Sequence, residues 1–175
     1  MKLGIAILLL AGVAGCNHPA TAVQAKEAKQ TKVAAGEIGS RLPDFFAMDL
    51  QGHPFSSVSL RGKVVLIDIW ATWCGPCKKE MPGYQKLTDE YRSKGFVVVG
   101  LKANMMPDTE NPVIFARKMG VHYPLVVATD DLLQKFGGLQ GLPTTLLYDR
   151  QGILRKKVIG FEYTRVFEEE VKALL

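Results

Sequence analysis

Residues 70–82 read WATWCGPCKKEMP, which places two thiols, Cys74 and Cys77, on either side of Gly75-Pro76. An acid follows at Glu80. Another lies six residues before Cys74, at Asp68, inside the apolar run KVVLIDIW. A cysteine pair at this spacing can clip a metal, staple a fold or exchange disulfides. Zinc takes four ligands, often from a second cysteine pair or nearby histidines. Here there is no second pair, while His53 sits at a turn and His122 precedes a strand. No metal is therefore expected. A staple gains little, because closing so short a loop removes little freedom from the unfolded chain. Exchange needs something different: an ionised outer sulfur that attacks and a shielded inner one that resolves.

The elements around the pair supply that inequality. A helix is expected from about residue 75 to 93. Counting about 100° per residue from Cys77 puts Met81, Tyr84, Thr88 and Tyr91 on its apolar stripe. Cys77 then lies on the buried side. Cys74 falls at or before the first turn, where free N–H groups and the positive dipole end favour a thiolate, and it is expected to be exposed. Trp73 and Pro76 limit solvent and backbone freedom beside the pair, and Pro82 should kink the helix. Asp68 is the one ionisable group in a strand whose β-branched run predicts burial on both faces. Desolvation would raise its pKa toward neutrality, unless it sits at a strand end and reaches solvent. Glu80 borders the buried stripe, where it either tunes Cys77 or pairs with a nearby lysine.

Further elements follow from local signals. DFFAMDLQGHPFSSVSL reads as a hairpin around Gln51-Gly52, and FVVVGL (96–101) as a second buried strand. Asn111 and Pro112 open a helix ending near Gly120. PLVVA (124–128) is a short strand, and Thr129 caps a helix that stops at Gly137-Gly138. TTLLYD and ILRKKVIG flank a turn, and Val166, Phe167, Val171 and Leu174 give the last helix its apolar face. The order βαβ, helical connection, ββα predicts an α/β fold with a central mixed sheet flanked by helices.

The chain has 175 residues, 47 % of them hydrophobic, and a net charge of +5, enough for one domain with a real core. No basic stripe with interleaved aromatics is present, so nucleic-acid binding is not expected. After Lys2 comes the apolar run LGIAILLLAGVAG, too short for a comfortable membrane span, ending in VAGC (13–16). This resembles the lipobox of bacterial lipoproteins, in which Cys16 would carry lipid. An ordinary secretory signal that leaves Cys16 incidental is the alternative. Either exports the protein. The expected division is a signal peptide over 1–15, a lipidated tether over 16–39 (with His18 a solvated linker residue) and a folded domain over 40–175. Lipid on Cys16 also leaves Cys74 and Cys77 as a closed pair among three cysteines.

WCGPC is the thioredoxin active-site sequence. Together with PDFFAMDLQGHPFSSVSLRGKVVLIDIWATWCGPCKKEMP and GLPTTLLYDRQGIL, it makes residues 42–175 resemble the TlpA/ResA group of exported, membrane-tethered thioredoxin-like proteins. The resemblance implies a thioredoxin fold with an N-terminal hairpin and a helix inserted between its βαβ and ββα halves. It implies a cis peptide at Pro143 and substrate contacts from Trp73, Gly75, Pro76, Leu142 and Pro143. Asp68 stands where thioredoxins carry an aspartate that helps deprotonate the buried cysteine, although many TlpA-like chains have asparagine there. Glu80 matches an acid common in the group.

The activity implied is thiol-disulfide exchange by a monomer outside the cytoplasm, in the periplasm or its equivalent, with no cofactor beyond the Cys74–Cys77 dithiol. Gly-Pro between the cysteines matches thioredoxin, at about −270 mV against about −120 mV for the oxidant DsbA. A reductant is therefore expected, with Cys74 titrating near about 7. Its substrates would be disulfides of exported proteins such as apocytochrome c, and its electrons would come from a membrane thiol transporter. Two rivals stay open. A thiol peroxidase would carry Pro and Thr seven and three residues before its cysteine, where this chain has Ile67 and Ala71. A non-redox module would use the groove near Pro143 to hold unfolded exported proteins.

Overall fold

The computed structural model describes residues 33–175. The expected signal peptide, the lipid site at Cys16, His18 and most of the tether lie outside the described residues. A seven-residue strand, β3 (Val64–Trp70), forms the centre, and every one of its side chains is buried. Such a strand must be covered on both faces, and it is. Val64, Leu66 and Trp70 point into one apolar cluster, and Val65, Ile67 and Ile69 into another. The period-two alternation of a strand splits the run between two cores.

Five strands make the sheet, in the order β5 (Leu125–Ala128), β4 (Phe96–Ala103), β3, β6 (Thr144–Tyr148), β7 (Leu154–Ile159). β4 runs parallel to β3, with Asp68 opposite Gly100. β6 runs antiparallel, with Ile69 opposite Thr144 and Asp68 opposite Thr145. β1 (Phe46–Met48) and β2 (Pro54–Ser56) form the separate N-terminal hairpin. Helices α1 (Gly75–Tyr91), α2 (Pro112–Lys118) and α4 (Thr164–Leu174) bury Cys77, Phe115 and Phe167 on one face, while α3 (Asp130–Lys135) covers the other. This is the mixed α/β thioredoxin-like fold expected from the sequence.

Two glycines set close approaches. A Cβ on Gly100 would strike Leu125 and the Trp70 indole, so β4 stays bare where Trp70 crosses it to stack on Phe115 at 5.2 Å. A Cβ on Gly83 would strike Thr164, which lets α4 start directly against α1. α1 runs through Pro82 without ending there and closes in a 3-10 turn at Arg92–Lys94.

The packed chain begins ahead of Ser40. Gly39 N–H donates to Leu154 O (2.9 Å) and Leu154 N–H to Ser40 O (2.8 Å), which adds this lead-in to the start of β7. Gly36 is buried at φ +72°, and a side chain there would strike the main chain of Phe136. Gly36→Ala is therefore expected to destabilise the protein by about 1–3 kcal/mol and to lower Tm by several degrees in thermal denaturation. An unchanged Tm would mean that this segment does not contribute to the fold.

Candidate active site

β3 ends at Trp70, and the chain turns through Ala71, Thr72 and Trp73 before α1 starts. Cys74 N–H donates to Ala71 O (3.1 Å), and Cys74 is the N-cap of the helix. Its Sγ accepts the Cys77 N–H at 3.2 Å, the position a serine or aspartate cap usually fills. A negative sulfur is favoured there by one direct donor and by the dipole of a 17-residue helix. Cys74 and Cys77 are joined as a disulfide, with Cα atoms 5.3 Å apart. Cys77 is 0 % exposed and Cys74 only 4 %. The expected inequality is thus smaller in area than the sequence implies, because Cys74 packs into the apolar cluster that holds Trp70, Ala71 and Cys77. What remains exposed is Gly75 and Pro76.

The Leu142–Pro143 peptide is cis. The pairing of Ile69 with Thr144 brings this turn to the end of the sheet from which Cys74 emerges. Pro143 O accepts the Gly160 N–H (2.8 Å), which ties the turn to the end of β7.

Behind Cys77 lie two buried acids. Asp68 is 0 % exposed, and neither of its oxygens has a hydrogen-bond partner. Burial first, and the nearby charge of Glu80 second, hold its pKa well above the usual carboxylate range. Glu80 is buried as well. Its Oε1 accepts the Glu162 N–H at 2.7 Å and its Oε2 has no partner. Burial pushes it up to about 7, against the Glu162 N–H and the Tyr84 hydroxyl, which favour the ionised form. The Tyr84 hydroxyl makes its own hydrogen bond to Thr145 Oγ1 (3.0 Å), across the sheet from Asp68. Tyr123 adds a buried hydroxyl that, unlike that of Tyr84, has no partner, its pKa raised by burial and then by the charges of both acids. Neither acid takes part in any of the ion pairs among the described residues. Two carboxyls without a cation cannot both ionise cheaply in such a site. The cluster therefore holds at least one proton near neutral pH.

Tyr84, Thr145, Tyr123 and Glu162 carried no functional signal beyond apolar spacing or loop position. A second polar cluster did carry one. Lys102 is the lone cation in the buried strand FVVVGLKA and is 5 % exposed. Its Nζ donates to Asp108 Oδ2 and Asn104 Oδ1, both at 2.5 Å. Asp108 Oδ1 accepts the Thr72 hydroxyl (2.9 Å), and Thr72 Oγ1 accepts the Thr109 N–H (3.0 Å). The loop between β4 and α2 is thereby clipped to the residues just ahead of Cys74. Among the described residues, no three His, Cys, Asp or Glu side chains converge in a metal-sized group. His53 instead pairs with Asp49 in the hairpin turn.

Both acids bind protons more tightly in the folded chain than their ordinary values of 3.8 and 4.5. Their contribution to stability is full below those values and is lost as pH rises through the folded ones. The urea midpoint of the disulfide form is expected to fall between pH 5 and pH 8, with Glu80 contributing on the order of 2 kcal/mol of that loss. Glu80→Gln should flatten this part of the profile. Equal slopes for both proteins would remove Glu80 as the titrating group.

Residues 38–157 match the AhpC/TSA family. The chain is 35 % identical over 130 residues to the thiol-disulfide oxidoreductase ResA of Geobacillus thermodenitrificans (strain NG80-2), covering 74 % of each chain. It is 30 % identical over 171 residues to ResA of Bacillus cereus (strain ATCC 10987 / NRS 248), covering 97 % of this chain and 93 % of the relative. Among solved structures, the thiol:disulfide interchange protein of Chlorobium tepidum TLS superposes with a TM-score of 0.71 at 31 % identity, over 80 % of this chain and 99 % of that one. An N-cap sulfur joined to a buried partner one turn into the helix suits thiol-disulfide exchange, and these relatives carry that activity in their names. The chain belongs to the AhpC/TSA family and is a thiol-disulfide oxidoreductase of the ResA type.

Proposed function

We propose that this oxidoreductase works as a reductase outside the cytoplasmic membrane, anchored through lipid on Cys16, and reduces disulfides in exported proteins. The observation that carries the reading is the single hydrogen bond from Cys77 N–H to Cys74 Sγ at the head of α1, with Cys77 wholly buried on the helix that also carries Glu80. In the dithiol form, the Cys74 thiolate attacks one sulfur of a substrate disulfide. A mixed disulfide forms and one substrate thiolate leaves. Cys77 then loses its proton and attacks Cys74 Sγ, which releases the second substrate thiolate and leaves the Cys74–Cys77 disulfide. Two electrons pass to the substrate.

The proton of Cys77 needs a base. Asp68, protonated by its burial, relays it, taking that proton while passing its own to Glu80, whose pKa of about 7 leaves it free to accept. Exposed Gly75 and Pro76, with Trp73, Leu142 and the cis Pro143, form the rim against which an extended substrate segment lies. The reaction uses no cofactor beyond the dithiol, which a membrane thiol transporter returns to the reduced state. Support for export and anchoring comes from the apolar start of the chain and Ala14-Gly15-Cys16. Apocytochrome c fits as a substrate because it is exported with a cysteine pair close in sequence.

Replacing Cys77 by Ser should stall the cycle at the mixed disulfide. Cys74 is then expected to be found linked to exported cysteine proteins, and the wild-type potential to lie below about −200 mV. A potential above about −150 mV would make the protein an oxidant. Asp68→Asn should slow resolution by about tenfold or more while leaving the first attack within about twofold. Equal slowing of both steps would refute the relay.

A further inference from the structure

The sheet has two poles. β3 climbs from Val64 to Trp70, about 20 Å at 3.3 Å per residue, and Cys74 follows at the top. The lead-in joins at the bottom, where Arg41 pairs with Ile153 and Leu42 N–H donates to Gly152 O at 2.7 Å. At this same pole lies a cleft of about 320 Å³ whose walls include Arg41, Arg61, Lys63 and Arg150. Asp44 is the only carboxylate lining it, paired with Arg61 at 3.3 Å with both side chains exposed. Arg41 and Lys63 have no ion-pair partner among the described residues. Arg150 is braced by the main chain, its guanidinium donating to Gly62 O (3.3 Å), Lys94 O (2.8 Å) and Leu175 O (2.8 Å). With Arg61 paired to Asp44 and Arg150 held by three backbone oxygens, Arg41 and Lys63 remain to make the cleft positive, and guanidinium forks suit phosphate oxygens.

We propose that this cleft binds the phosphates of anionic lipid headgroups in the leaflet that carries the N-terminal anchor. The inference rests on the anchoring reading above. Arg41 and Leu42 line the cleft and also belong to the lead-in, so the pole carrying the positive charge is the one covalently joined to residue 16. Residues 17–32 span at most about 55 Å fully extended, which keeps the cleft near the surface at high effective concentration. A contact too weak to recruit a free protein then suffices to orient a tethered one. The attraction acts only within a Debye length, about 8–10 Å at moderate salt, so the pole must meet the headgroups closely. Docked in this way, the domain points Cys74 away from the leaflet.

The test compares acetylation rates of two lysines in the full chain reconstituted in vesicles. Lys63 reports the cleft, and exposed Lys79 on α1 reports the redox pole. Vesicles of phosphatidylcholine alone are compared with vesicles containing phosphatidylglycerol. The expected result is that anionic lipid slows labelling of Lys63 at least threefold, leaves Lys79 unchanged, and loses its effect in Arg41→Gln/Arg61→Gln. Three outcomes would overturn the proposal: equal Lys63 rates in both vesicles, equal slowing of both lysines, or protection by inorganic phosphate in neutral vesicles matching that of anionic lipid, which would make this a free-phosphate site. Anchoring is read separately, by flotation with neutral vesicles. Failure to float there, with anionic-specific protection of Lys63 retained, would remove the anchor and keep the cleft.

Discussion

One junction governs the chemistry of this molecule: the point where a fully buried central strand hands the chain to a helix whose cap is a sulfur. Because β3 is fixed on both faces, the turn through Ala71–Trp73 has little freedom, and the first N–H groups of α1 are aimed at a defined point. The Cys74 sulfur occupies that point. Its charge is stabilised by dipoles the fold has already aligned, so little reorganisation is needed when the thiolate forms. Cys77, one turn inward, has no such donors and packs among apolar side chains. The same helix start therefore separates two identical side chains into an attacker and a resolver.

The acid pair behind them inverts the usual logic of buried charge. Most buried carboxylates are stabilised by a cation, and this chain has a suitable one on the same face of the sheet, Lys102. Yet Lys102 is engaged by Asp108 and Asn104, and the acids are left without a cation. An ion pair at Asp68 would fix it as a carboxylate of low pKa. Leaving it alone keeps the site responsive near neutrality, where a thiol proton must be taken up and returned. Ile67 and Ala71, buried where a peroxidase would carry Pro and Thr, fit a site arranged for exchange between sulfurs.

Much of this was legible before any coordinates. A lone acid in a continuous apolar strand, a cysteine pair at a helix start and a Pro-Thr ahead of another strand are contrasts against a uniform background, and contrasts survive without tertiary information. Strand identity and the α/β class followed from them, while the thioredoxin fold and the cis peptide at Pro143 came from the family resemblance that these residues carry. What escaped depends on distance in space rather than in sequence. The Glu162 amide that grips Glu80 lies in a loop 82 residues later and has no side-chain signature. Tyr123 reads as an ordinary strand-flanking aromatic. The burial of Gly36 arises because Phe136 and Gly137, a hundred residues on, pass directly over it. The exposure of Cys74 was overread because sequence spacing says where on a helix a residue sits and nothing about what packs over it, here the cluster with Trp70, Ala71 and Cys77.

The clip joining Thr72, Asp108 and Lys102 divides the segment between β4 and α2 into a root and a tip. The root is welded to the lip of the reaction centre, while Met105 and Met106 stand outside it, 59 % and 52 % exposed. Such a division separates identity from chemistry: the tip is free to drift or be exchanged wholesale, giving the molecule a new face toward its clients, with the sulfurs untouched so long as the weld is kept.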